Sequence, residues 1–163
     1  MATFKIINKQ GKYHDLNSTS NVIQYIFNPE KTESRLYGFE QVDPMCPAKS
    51  MVQVSRAFGK QKGIQIRHYI ISFYQNEVDN PHTADRIAKN IALYIGYEYQ
   101  TVYAVHESTD QIHIHIVHNT VSYVDSHRYR GNKMEYYTLL NIIYIISDIL
   151  KRYGVKRLIT LNT

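Results

Sequence analysis

From Gln111 to Ile116 the chain alternates strictly between polar and apolar residues, Gln-Ile-His-Ile-His-Ile, before continuing as Val117-His118. A period of two marks a β-strand, because successive side chains leave a sheet on opposite faces. His113 and His115 therefore share one face, about 7 Å apart along the strand, while Ile112, Ile114 and Ile116 bury on the other. His118 has the parity of the isoleucines, which places it in the core or in support of it. A second strand-like run, Tyr99 to Val105, leads into His106, and Glu107-Ser108-Thr109-Asp110 is a short turn between the two. A hairpin of this kind brings His106 towards the His113/His115 pair. Three imidazoles on one sheet face make a divalent-metal site; a solvated polar face is the plainer reading.

Near the N-terminus, Ser18-Thr19-Ser20 offers helix N-caps for Asn21-Val22-Ile23-Gln24-Tyr25-Ile26-Phe27. Asn28-Pro29 ends that helix, since the residue before proline avoids helical backbone angles. Val22, Ile23, Ile26 and Phe27 form the apolar face, with Tyr25 off its centre and free to present its hydroxyl outward. The chain holds 15 tyrosines, so composition alone singles out none of them.

The remaining order reads as a strand at 3–7, a loop or short strand near 35–42, a helix at 47–58 and a strand at 65–75. Asn80-Pro81 then opens a helix to Ile95 whose inner face is Ala84, Ile87, Ala88, Ile91 and Ile95. Strands at 98–106 and 111–123 follow, then a basic turn and a helix at 135–153 stopped by Gly154. Leu139 to Ile146 is interrupted by Asn141, which suits a buried helix, and Lys156 to Thr160 starts a further strand. Helices interleaved with hairpin-forming strands predict an α+β domain, a central antiparallel sheet with helices packed on one face. At 163 residues one domain, 1–163, accounts for the chain.

The formal charge of +5 suits a polyanionic partner. Lys49, Arg56, Lys60 and Lys62, with Arg67 further on, form one basic group, and Arg128, Arg130 and Lys133 another with Tyr129 interleaved. Basic side chains contact phosphates and aromatic rings stack on unpaired bases. The lone Cys46 excludes an intrachain disulfide and cysteine-rich zinc motifs. With no apolar run long enough to cross a membrane and no signal peptide, the expectation is a cytoplasmic protein without membrane insertion.

Taken in order, these segments resemble the MobA/VirD2-like relaxases of the HUH endonuclease superfamily, over nearly the whole chain. The resemblance rests on Asn21 to Thr32 around Tyr25, on His68-Tyr69-Ile70-Ile71-Ser72-Phe73 with Glu77-Val78, and on His106 through His113-Ile114-His115 to Asn119-Thr120-Val121-Ser122. Arg128-Tyr129-Arg130-Gly131-Asn132-Lys133 follows as the basic turn. Two positions depart from the pattern: Ser108 stands where many relatives have aspartate, and Gln111 where many have a further histidine. Asp110 is placed to replace the lost carboxylate as an orienter of a ligand imidazole.

The resemblance implies site- and strand-specific DNA nicking and rejoining at a transfer origin of a mobilisable plasmid or conjugative element. Tyr25 would be the nucleophile, and His106, His113 and His115 would hold a divalent metal, Mn²⁺ or Mg²⁺. His68, Ser72, Glu77, Asp110 and Asn119 are further active-site contributors, and the two basic groups are the DNA contacts. The implied partners are a transfer-origin hairpin with its adjacent single strand, accessory mobilisation proteins and a coupling protein. Relaxases carry additional C-terminal regions, so the chain is either the N-terminal core of a longer protein or a minimal form. Two rivals stand beside this reading. A rolling-circle replication initiator would use Tyr136, Tyr137 or Tyr144, and a DNA-binding protein that kept the fold would have no catalysis. Tyr13 and Tyr37 are the next tyrosines in line as nucleophile.

Overall fold

The computed structural model describes residues 3–7, 12–32, 36–74, 77–78, 80–108, 111–151 and 160–161. The elements run β1 (Thr3–Ile6), α1 (Leu16–Ile26), β2 (Tyr37–Glu40), α2 (Pro47–Ala57), β3 (Ile66–Tyr74), α3 (Pro81–Gly96), β4 (Thr101–Glu107), β5 (Gln111–Asn119), α4 (Lys133–Lys151) and β6 (Thr160–Leu161). One sheet holds the strands in the order β2-β4-β5-β3-β1-β6. Every pairing is antiparallel except that of β1 with the short β6. This is the expected α+β antiparallel architecture. Gly154 and Lys156 to Ile159, expected as a helix stop and a strand start, lie outside the described residues.

Strand parity divides the sheet into two unlike faces. Tyr69, Ile71 and Phe73 of β3, Tyr103 and Val105 of β4 and Ile114 and Ile116 of β5 bury beneath α3 and α4. Helix α3 starts at Asn80, whose side chain accepts the Thr83 N–H at 3.0 Å, with Pro81 in the first turn. Its buried stripe is the expected one with Thr83, Ala92 and Gly96 added. Alanines at 84, 88 and 92 let the helix axis approach the strands closely. Leu139, Leu140 and Ile143 of α4 complete this core, so the apolar run there is one face of an amphipathic helix.

The opposite face is not bare, which refines the expectation of helices on one side. Val102, Ala104 and Val117 share that face with the histidines, and Val22, Ile23 and Ile26 of α1 and Met51 of α2 pack on them. That face is therefore apolar towards one end and histidine-lined towards the other, and two short helices suffice to cover the apolar end. Helix α1 also begins earlier than the serine run implied. Asp15 is its N-cap, accepting the Ser18 N–H at 2.8 Å, and Ser18 to Ser20 lie inside the helix.

Asn119 closes β5 as a buried staple. Its amide donates to the Met51 carbonyl of α2 at 2.9 Å and to Gln100 Oε1 at 3.2 Å, while its Oδ1 accepts the Val121 N–H at 3.0 Å. Asn119→Ala would leave these buried groups unpaired, each loss costing about 1–3 kcal/mol. Urea unfolding should show a destabilisation of that order, with divalent-ion affinity unchanged because the side chain stays remote from the histidines.

Candidate active site

Tyr25 sits in the last turn of α1, and its position is fixed by the strand beneath. His106 Nε2 lies 2.7 Å from the Ile26 carbonyl. A carbonyl oxygen can only accept, so His106 carries its proton on Nε2 and caps one of the four orphan carbonyls at the helix end. Asn28 closes the chain after the helix: its carbonyl accepts from Lys31 and Thr32, and its side chain from the Glu30 N–H at 3.0 Å. The Glu107 N–H then bonds the Lys31 carbonyl, tying the turn to β4. The Tyr25 ring consequently stands edge-on to both His106 and His115, with centroids 5.7 Å away in each case. The residue remains 47% exposed.

The β4–β5 register places His106 directly opposite His113. The three rings cluster, His106 to His115 at 4.2 Å and His113 to His115 at 6.5 Å between centroids. Each ring gives one nitrogen to the protein. His106 uses Nε2, as above; His113 Nδ1 meets Ser72 Oγ at 2.8 Å; His115 Nδ1 meets His68 Nε2 at 3.0 Å. His68 Nδ1 continues to the Tyr13 hydroxyl at 3.1 Å. One nitrogen per ring is left over, on His106 Nδ1, His113 Nε2 and His115 Nε2. As the side chains stand, no three His, Cys, Asp or Glu side chains among the described residues form a ready coordination cluster. The donor chemistry nonetheless fits a metal: ligand imidazoles are commonly oriented by a partner on their other nitrogen.

Burial keeps these rings neutral. It lowers His115 from the ordinary 6.5 to about 2, reinforced by the neighbouring imidazoles and Lys31. His68 falls to about 4 through burial and then Lys12 and His106. His106 is also lowered by burial, although its bond to Ile26 pulls the other way, and His113 is lowered by burial alone. Neutral imidazole is the ligand form.

Other predicted residues take different places. Ser72 lies opposite His113 and orients it, and His68 orients His115. Glu77 accepts the Tyr74 N–H at 2.9 Å and closes the turn after β3. Ser108 closes the hairpin turn through Gln111, whereas Asp110 lies outside the described residues. Tyr37 stacks edge-on with Phe27 and Phe39, and Tyr13 is buried against His68 with its phenol pushed up to about 12. His118 is buried on the helix-covered face, donating from Nδ1 to the Asn119 carbonyl and accepting from the Tyr69 hydroxyl at Nε2. That is the core role its parity predicted.

The basic residues divide. Lys49 and Arg56, seven apart on α2, share one side of a helix that packs on the histidine face. Arg128, expected on DNA, instead turns inward. Its guanidinium donates to the Ile64, Lys60 and Lys62 carbonyls and to Thr120 Oγ1, tying the loop before β3 to the segment after β5. Lys60 Nζ bonds the Ser126 carbonyl, while Lys62 is exposed. Arg130 and Lys133 are also exposed, but beyond the end of β5 away from His113. Sequence reasoning gave no role to Lys31, whose Nζ lies 4.7 Å from the Tyr25 ring centroid. The lysine close behind the helix-ending proline was the available signal. Tyr13, at φ 67° and distant in sequence from His68, offered none.

An exposed tyrosine on a helix end thus stands edge-on to paired histidines of a central antiparallel sheet. The chain matches the MobA/VirD2-like relaxase nuclease domain over residues 25–154, and it belongs to that family. It is thus a domain of DNA-nicking relaxases, which act on DNA. It is 32% identical to Protein TraI of Escherichia coli over 100 residues, covering 60% of this chain and 13% of that protein's length. No solved structure gives a significant match. Among the described residues, no helix is long and apolar enough to cross a membrane.

Acid should weaken the fold through the buried histidines. His68 and His118 are each held at about 4 and His115 at about 2. Below about 6.5 the unfolded chain takes up protons that the folded chain refuses, so stability falls on acidification from there through pH 4. The slope approaches 1.4 kcal/mol per histidine per pH unit, and above pH 7 these groups contribute no slope. Urea titrations of the metal-free protein between pH 7.5 and 5 measure it; a flat profile would mean that the rings titrate freely.

Proposed function

We propose that this domain nicks and rejoins one DNA strand at a transfer origin, using Tyr25 as nucleophile. The observation that carries the reading is the double edge-on contact of Tyr25 with His106 and His115, on a helix whose last carbonyl is held by His106. The phenolic oxygen attacks the scissile phosphorus as the P–O3′ bond breaks. The phenol loses its proton and the leaving 3′ oxygen gains one. The product is a 5′-phosphotyrosyl link with a free 3′-hydroxyl, and reversal restores the strand without an outside energy source. Lys31 puts a cation beside the ring, where it can meet the phosphate.

His106, His113 and His115 would hold the divalent ion through Nδ1, Nε2 and Nε2. When bound, Mn²⁺ or Mg²⁺ supplies charge to offset that building on the phosphate oxygens; an all-imidazole donor set favours Mn²⁺. For His115 Nε2 to bear a lone pair, its Nδ1–H must donate to His68, whose Nδ1–H then donates to the Tyr13 oxygen. The fold thus reads the ligand tautomer through two buried residues. The transfer-origin hairpin and adjacent strand, accessory mobilisation proteins and a coupling protein belong to the same reading, as do DNA contacts by Lys49, Arg56, Lys62, Arg130 and Lys133. A replication initiator is disfavoured by geometry, since α4, with Tyr136, Tyr137 and Tyr144, packs with α3 on the face opposite the histidines.

Tyr25→Phe should abolish the covalent protein–DNA adduct while single-strand affinity stays within about twofold, because only the attacking oxygen is lost. Mass spectrometry of the adduct after incubation with an origin-derived oligonucleotide and Mn²⁺ locates the linked tyrosine; an adduct persisting in the variant would move the nucleophile.

Calorimetric titration with Mn²⁺ should show binding lost in His113→Ala and His115→Ala. Tyr13→Phe, which removes the terminal acceptor, should weaken binding by about 10- to 100-fold. Unchanged affinity in all three would remove the ion from these histidines.

A further inference from the structure

On the face opposite the histidines, where the C-terminal end of α3 meets the start of α4, lies a cavity of about 520 Å³. That volume is typical of small-ligand sites, about 300–1,000 Å³. Tyrosines line it together with aliphatic side chains such as Leu93, Ile95 and Leu139. Tyr99 lies at its base, edge-on to Tyr129 at 5.6 Å, and Tyr94 and Tyr97 stand at its mouth. Tyr97 is 81% exposed, an aromatic ring left almost wholly in water beside an aromatic pocket.

Cations flank the opening. Arg130 is exposed on the turn after the lining residue Tyr129, Lys133 is exposed as the first residue of α4 beside the lining residue Met134, and the Arg67 guanidinium lies 6.0 Å over the Tyr129 ring. Arg67 donates to the Arg130 carbonyl, while its buried Nε has no hydrogen-bond partner. Gly131, at φ 70°, permits this approach: a Cβ there would come 2.8 Å from Arg67 Nη2. Glu135 is committed to the turn, accepting the Asn132 N–H at 2.8 Å, which leaves Glu98 as the carboxylate lining the cavity.

We propose that this pocket takes one unpaired base of the bound DNA strand, with its phosphates on Arg130 and Lys133. The inference rests on the domain acting on single-stranded DNA. Aromatic walls suit any planar ring, but an apolar protein side chain would leave the exposed cations Arg130 and Lys133 without a role. A nucleotide uses both, stacking its base and pairing its phosphates. A carboxylate in the pocket accepts from exocyclic amines, so cytosine or adenine is preferred to thymine. The strand would then pass from the histidine face around the far end of β5, which gives the remote basic turn a function.

Fluorescence anisotropy with dC, dA and dT homopolymers tests this on the full chain. Tyr97→Ala should weaken dC and dA binding by between about 5- and 150-fold, with Tyr97→Phe close to wild type. Glu98→Gln should shrink the dC-over-dT preference. Photocross-linking of an oligonucleotide carrying 5-iododeoxycytidine should label the Tyr94–Tyr99 segment or Tyr129. Wild-type binding that survives Tyr97→Ala within twofold, with cross-links confined to the histidine face, overturns the pocket and leaves the nicking reading standing. Failure of the wild type to bind any single strand overturns both.

Discussion

The bond from His106 to the Ile26 carbonyl is the contact on which the site's geometry depends. It joins a strand of the central sheet to the end of the helix that carries Tyr25, and it fixes the tautomer of a candidate ligand at the same time. A helix end has carbonyls without intrahelical partners, and a buried imidazole needs an acceptor for its N–H. Each satisfies the other. Because the acceptor is the residue next to Tyr25, the backbone that carries the tyrosine is held at the histidine cluster.

The sheet makes this economical by sorting chemistry on parity. Alternate residues of β4 and β5 put Tyr103, Val105, Ile114 and Ile116 into the core and His106, His113 and His115 on the working face. The same working face turns apolar at Val102, Ala104 and Val117, where α1 and α2 dock. The histidines are thereby shielded enough to stay neutral, yet Tyr25 remains open. From β3, Ser72 meets His113 directly across the ladder, and His68, which lies opposite Val117, reaches His115 diagonally.

Charge is distributed with similar consequence. Arg128 serves the backbone of the Lys60–Ile64 loop, donating to three of its carbonyls. Arg130 and Lys133 stay in solvent at one end of the domain and Lys49 and Arg56 on α2. A polyanion touching both groups must wrap the domain instead of crossing a single patch.

Much of this was legible in the chain itself. The two-residue period of Gln111–Ile116 gave the strand, the face shared by His113 and His115 and the inward turn of His118, since parity is set by covalent geometry alone. Asn80-Pro81 and the alanine–isoleucine stripe gave α3, and the order of motifs around Tyr25 and the histidines gave the family. Local capping was harder to read: Asp15, and not one of Ser18–Ser20, is the N-cap, its carboxylate accepting the free Ser18 N–H of the first turn. What only the tertiary structure decided depends on residues distant in sequence meeting across the sheet. No local pattern could state that Tyr13 ends a chain of bonds through His68 to His115, that Asn119 staples α2, or that Arg128 turns inward. Such bonds form wherever folding buries a donor or acceptor away from water, and their partners are set by strand register and helix docking, not by spacing along the chain.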